Sequence, residues 1–150
     1  MSAVTQNATT PQVRPGHRLV PALIRWHREV TAQTVWIECP TWCSEPHHAV
    51  AQLAVEDIVH SSHAVYFGVD SIETTGMVFG LHAQIKADPQ DSKPQFRQAH
   101  IVIDDGQGED AFLTVDRADA LADRLVAFAA QVRRLARTAR AHQQQAEVTA

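Results

Sequence analysis

Apolar and polar residues alternate along three stretches in the middle of the chain, and a period of two marks strands with one covered face. His63, Val65, Phe67 and Val69 alternate with Ala64, Tyr66 and Gly68. Met77, Phe79, Leu81, Ala83 and Ile85 alternate with Val78, Gly80, His82, Gln84 and Lys86. Ala99, Ile101 and Ile103 then alternate with Gln98, His100 and Val102, and a fourth strand is expected over 110–114. The connections at 71–76, 88–94 and 104–108 are rich in Asp, Ser, Pro and Gly, which supply turn chemistry. Upstream, Thr34-Val35-Trp36-Ile37-Glu38 is β-branched and aromatic and reads as a strand. The segment from Leu19 to Val30 is ambiguous. Leu23, Trp26, His27 and Val30 share a helical face, whereas Leu19, Pro21 and Leu23 alternate; Pro21 is tolerated at a sheet edge, so an edge strand is preferred. A short helix is expected over 49–53.

The period changes after residue 115. Ala118, Leu121, Leu125, Phe128, Val132, Leu135, Ala139 and His142 follow the three-four spacing of a heptad seam. Ala122, Ala129 and Ala136 widen it into a broader apolar face. Asp116 is expected to cap this helix and Asp119 to favour its dipole. From Asp116 to His142 the helix would span about 40 Å, against about 23 Å for a seven-residue strand. Its far end therefore needs another partner or frays. The expected architecture is α+β: an antiparallel sheet of four to five strands, a loop after residue 38 that carries cysteines and histidines, and one long C-terminal helix packed on the sheet. Residues 1–17 are expected to be a disordered lead-in, 18–142 a single domain, and 143–150 a disordered tail.

Composition changes this picture little. The chain has 150 residues, 45% hydrophobic and 20% charged, which is ordinary for one soluble domain. No apolar stretch approaches the length of a membrane span, and the first residues lack a secretion signal, so a cytoplasmic address is expected. Charge is more telling. Residues 38–123 hold fifteen acids against four bases, a balance of −11, while residues 1–37 carry +3 and residues 124–150 carry +4. An acidic middle is a poor general surface for nucleic acid.

Candidate chemistry gathers in one place. Cys39-Pro40-Thr41-Trp42-Cys43 holds both cysteines of the chain, and His47, His48, His60 and His63 follow. Thiolates and neutral imidazoles are the preferred ligands of zinc, which usually takes four in a tetrahedron. The expected set is Cys39, Cys43, His47 and His60, with His48 and His63 as alternatives. Pro40 and Pro46 can fix the turns that converge these side chains, and Pro46 rules out one continuous helix through the first three. The competing reading is a chance coincidence in a chain with nine histidines, and a Cys39–Cys43 disulfide is the lesser rival in a reducing compartment. His17, His27, His82, His100 and His142 read as surface or half-buried side chains. Trp42 reads as a packing residue over the metal, and Trp26 and Trp36 read as core.

The Cys-Pro-x-Trp-Cys-x3-His string, with His60 in an Asp57-Ile58-Val59-His60 context, resembles the signature of small uncharacterised actinobacterial proteins. Those continue into short strands and end in an Ala/Leu-rich, Arg-containing helix, so the likeness covers roughly residues 32–142. They form a domain-of-unknown-function family; the resemblance implies a ligand role for the motif and no activity.

Three classes of function remain. A zinc-stabilised interaction or regulatory module would self-associate, most simply as a homodimer, or meet a protein partner through Leu125, Phe128, Val132 and Leu135. A nucleic-acid-binding protein would use Arg133, Arg134, Arg137 and Arg140, although such a run is more often the solvated side of an amphipathic helix. A small zinc hydrolase would keep an open metal position with Glu45, Glu56 or Asp57 as base, but no H-E-x-x-H motif, phosphate loop or nucleophile elbow accompanies it. The first class is the expected one.

Overall fold

The computed structural model describes residues 12–26, 31–73 and 77–149. The lead-in up to residue 11, His27 and Val30 lie outside the described residues. Strands β1 (His17–Ile24) and β2 (Gln33–Pro40) form an antiparallel ribbon in which Ala22 lies opposite Val35 and Arg18 opposite Cys39. Pro21 is therefore accommodated in a two-stranded sheet, where every strand is an edge. Of the expected lead-in, Arg14 to His17 makes a turn closed by the His17 amide on the Arg14 carbonyl at 3.1 Å. Gly16 sits there at φ +74°, the position a type II turn reserves for glycine.

The second sheet has five strands: β3 (His60–Ser61), β4 (Val65–Asp70), β5 (Met77–Ala87), β6 (His100–Asp104) and β7 (Asp110–Leu113). β3 and β4 line one side of β5, β6 pairs with its other side, and β7 forms the outer edge, all antiparallel. A short helix α1 (Pro94–Arg97) joins β5 to β6, and α2 (Val115–Thr149) follows β7 after the single residue Thr114. The α+β architecture with antiparallel sheets and one long C-terminal helix thus stands, with the strands divided between two sheets.

The ribbon closes over a small core. Ala22 and Ile24 are fully buried against Ile58, with Val35 and Ile37 packed at the side. Trp36 lies opposite Pro21, on the alternate side of the ribbon, and is 67% exposed. Trp26, just past the end of β1, is 44% exposed. Neither tryptophan is core: a ribbon with one covered face leaves its other face to solvent.

In the larger sheet, directly opposed residues share a face. One face carries Phe67 with Leu81, Val65 with Ala83 and Ile103, and Ile85 with Ile101 and Leu113. This is the face the alternation assigns to a core, yet Val65, Phe67, Val69 and Phe79 are all exposed. On the opposite face, Val102 is buried, and the rings of Phe96, His100 and Phe112 cluster at centroid separations of 5.0–6.0 Å. His100 is consequently buried, its Nδ1 2.9 Å from the Gln98 carbonyl.

Thr114, not Asp116, caps α2: its Oγ1 accepts the Arg117 amide at 3.3 Å, and its carbonyl accepts the Ala118 amide at 2.9 Å. Asp116 falls inside the first turn, where its charge still favours the dipole. The helix continues past His142, through the residues expected as a tail, because 141–149 hold mostly good helix formers and no Gly or Pro. At 35 residues it is about 52 Å long. It packs against β6 and β7, and among its early residues Ala118 and Leu121 are half-buried. Beyond them Leu125, Phe128, Val132 and Leu135 are exposed, Phe128 by 64% and Leu135 by 69%. No helix among the described residues is long and apolar enough to cross a membrane.

Candidate metal centre

Three pieces of chain converge at the end of the ribbon. β2 delivers Cys39 in its penultimate position. The chain then turns tightly, the Cys43 amide donating to the Pro40 carbonyl at 3.0 Å, and this returns the second sulfur beside the first. The residues after Pro46 make a further turn, with the Ala49 amide on the Pro46 carbonyl at 2.7 Å, so no helix runs through the ligand types. His47 is anchored to the ribbon through its carbonyl, which accepts the Leu23 amide at 3.0 Å. His60 arrives from the far side of the sequence. A 3₁₀ turn at Val55–Asp57, tied by the Asp57 carboxylate to the Ala54 amide at 3.0 Å, seats Ile58 in the core and starts β3 two residues later.

The four donor atoms of Cys39, Cys43, His47 and His60 lie within 4.8 Å of one another, and all four residues are buried. His47 Nε2 is 3.6 Å from Cys39 Sγ and 3.5 Å from Cys43 Sγ. A tetrahedron with Zn–S of about 2.3 Å and Zn–N of about 2.0 Å has an N···S edge of roughly 3.5 Å. The two imidazoles meet edge to face at 5.1 Å. His60 Nδ1 is buried and has no hydrogen-bond partner among the described residues. An unsatisfied buried nitrogen is costly, and a cation at the centre would satisfy it. The donor set therefore fits a dication such as zinc. His48 and His63, the alternative ligands, are exposed and stand outside the cluster.

Electrostatics reinforce this fit. Burial pushes the Cys39 thiol up to about 11, and the neighbouring Cys43 adds to the rise. Burial lowers His60 to about 4, and it lowers His47 as well. Both imidazoles are thus neutral near pH 7, the form that ligates metal. The Cys39 thiol stays protonated unless a positive centre offsets the cost of a buried thiolate, so metal uptake would release a proton there. Both thiols are free, with no Cys39–Cys43 disulfide.

Several supporting residues carry no signal in the local sequence. The Ser44 amide and hydroxyl both donate to the Ser61 carbonyl, at 2.8 and 3.3 Å, lacing the cysteine turn to β3. Arg18 Nη2 donates to the Cys43 carbonyl at 2.9 Å. The only hint is that each serine directly follows a ligand-type residue; the Arg18 contact depends on ribbon register. Beside the cluster runs an open cleft of about 680 Å³, whose walls include Arg14, Trp36, half-buried Trp42, His60 and Arg97. Arg14 pairs with Glu38, and that hydrogen bond holds the Glu38 carboxyl below the usual carboxylate range. Of the other singled-out residues, Leu125, Phe128, Val132 and Leu135 lie on the distant helix, as do exposed Arg133, Arg134, Arg137 and Arg140.

No curated protein and no solved structure matches the chain. Residues 26–141, well over half its length and inclusive of all four converging side chains, match the model of one family. The chain belongs to DUF6907, a domain of unknown function.

Proposed function

We propose that the protein is a non-catalytic, zinc-stabilised interaction module of a reducing, cytoplasmic compartment that self-associates through its C-terminal helix. The observation that carries the metal part is the buried convergence of two sulfurs and two imidazoles at tetrahedral spacing. Four protein donors fill a tetrahedral ion, which is the pattern of structural sites; catalytic sites keep one position open for water. Hydrolysis therefore ranks behind. Nucleic-acid binding ranks behind too, because the arginines of α2 share their chain with a strongly acidic middle. Self-association is supported by the exposed seam from Leu125 to Leu135, which no other element of the protein covers among the described residues.

Two measurements test this reading. Metal analysis of protein purified without chelators is expected to give one zinc per chain, falling to a small fraction in Cys39→Ser. Metal-free protein that melts cooperatively with both thiols titratable would end the structural-zinc reading. Sedimentation over a hundredfold concentration range is expected to show a dimer that Leu135→Asp converts to monomer; equal monomer in both would end the self-association reading.

A further inference from the structure

The cleft beside the metal centre is walled by flat rings and guanidinium groups, and its charges are not balanced. Exposed Trp36 and half-buried Trp42 both line it. Glu38 is the acid among its described lining side chains, and Arg14 neutralises it by ion pairing. Arg97, also on the wall, is held differently. Its Nε donates to the Asp91 carbonyl at 2.6 Å and its Nη2 to the Ser92 carbonyl at 3.4 Å. No carboxylate pairs with it among the described residues. The acids of the preceding loop are turned to their own backbone. The Asp91 carboxylate accepts the Lys93 amide at 2.7 Å, and the Asp88 carboxylate accepts the Gln90 amide at 3.0 Å. We propose that this cleft binds a small organic anion, a flat aromatic body bearing a carboxylate or phosphate, with its oxyanion on Arg97 and its ring against Trp36.

Each feature narrows the ligand. A guanidinium fixed by neutral carbonyls keeps its full charge and a set orientation, so it loses little entropy when it meets a carboxylate or phosphate. A loop staple alone would need only a neutral donor. A cationic ligand is disfavoured, because the wall sets two guanidinium groups against a single carboxylate. A purely apolar ligand would desolvate Arg97 without pairing it, at a cost. The indole of Trp36 has no cover on its side of the ribbon, and it offers a broad face for stacking. Size agrees: the cleft measures about 680 Å³, within the span of roughly 300–1,000 Å³ usual for small-molecule sites. A bare inorganic anion would leave most of that space, and both indoles, to water. The inference goes beyond the interaction module proposed above and depends on neither its metal nor its dimer. His60 lines the cleft as well, so an occupant would lie against the donor set of the metal centre.

Calorimetric titration of the full chain with 2-naphthoate and with adenosine monophosphate tests this. Each anion is compared with its neutral counterpart, 2-naphthamide or adenosine. Saturable one-to-one binding is expected for at least one anion, about tenfold tighter than for its counterpart. Which anion binds tells a carboxylate ligand from a phosphate one. Arg97→Gln should weaken binding about tenfold and Trp36→Leu severalfold, whereas Arg124→Gln, on α2 and outside the cleft, should leave it unchanged. Trp36 is exposed, so its replacement keeps the test decisive even where Arg97→Gln loosens the loop. No binding of either anion at about 5 mM overturns the inference. Equal binding of the neutral counterparts overturns it too, as does an equal loss in Arg124→Gln and Arg97→Gln, the mark of unspecific charge. Binding by protein that proves metal-free or monomeric upholds this inference while the corresponding part of the earlier proposal falls.

Discussion

The two halves of this molecule solve the problem of burial in opposite ways. The ribbon closes one face tightly, with Ala22 and Ile24 fully buried on Ile58, and leaves Trp36 on its open face. The polar residues beside that core are drawn in as well, with His47, His60 and Ser61 all buried. The larger sheet and α2 hold far more apolar surface, yet much of it stays open, from Phe67 and Phe79 on β4 and β5 to Leu135 on the helix. The first half gathers buried donors that could hold a cation at their centre, and a cation would offset the cost of burying them. The second leaves a row of leucine and phenylalanine side chains exposed, the surface on which the proposed self-association rests.

This contrast can be broken or sharpened by experiment. The largest effect is expected from removing the proposed ion. Chelation, or Cys43→Ser, should cost the ribbon half more than about 5 kcal/mol, since structural zinc contributes folding free energy directly. Hydrogen exchange should then show loss of protection in β1, β2 and β3 before β5 and β6; simultaneous loss across both sheets would erase the distinction between the halves. Next comes Ile24→Ala, which truncates a fully buried side chain in a three-residue core and should cost about 3 kcal/mol by thermal melting of the metal-loaded protein. A cost no larger than that of Trp36→Ala, expected near zero at an exposed position, would show that the ribbon has no core of its own. The smallest is Thr114→Ala. Loss of the hydroxyl cap should cost about 1 kcal/mol and raise amide exchange in the first turn of α2, with the metal site unaffected.

What the sequence made legible follows the same division. Cys39, Cys43, His47 and His60 could be singled out because cysteine and clustered histidine are scarce and chemically distinctive, so spacing alone suggests convergence. The strand pattern of β5 and the seam of α2 were legible because periods of two and of three-four persist over many residues. Three features were not. Division of the strands into two sheets is a question of pairing between distant segments, which periodicity does not encode. Trp36 looks like core by composition, but its side of the ribbon follows from its register with Pro21. The helix cap moved from Asp116 to Thr114 because either residue type can serve, and strand β7 ends at Leu113, which decides the matter.

That junction has a mechanical consequence. One residue separates the outermost strand from a rod about 52 Å long, with no slack to absorb a twist. Whatever grips the rod has leverage on the sheet margin itself, so force or torque applied far out along it arrives at β7 undiminished by any joint.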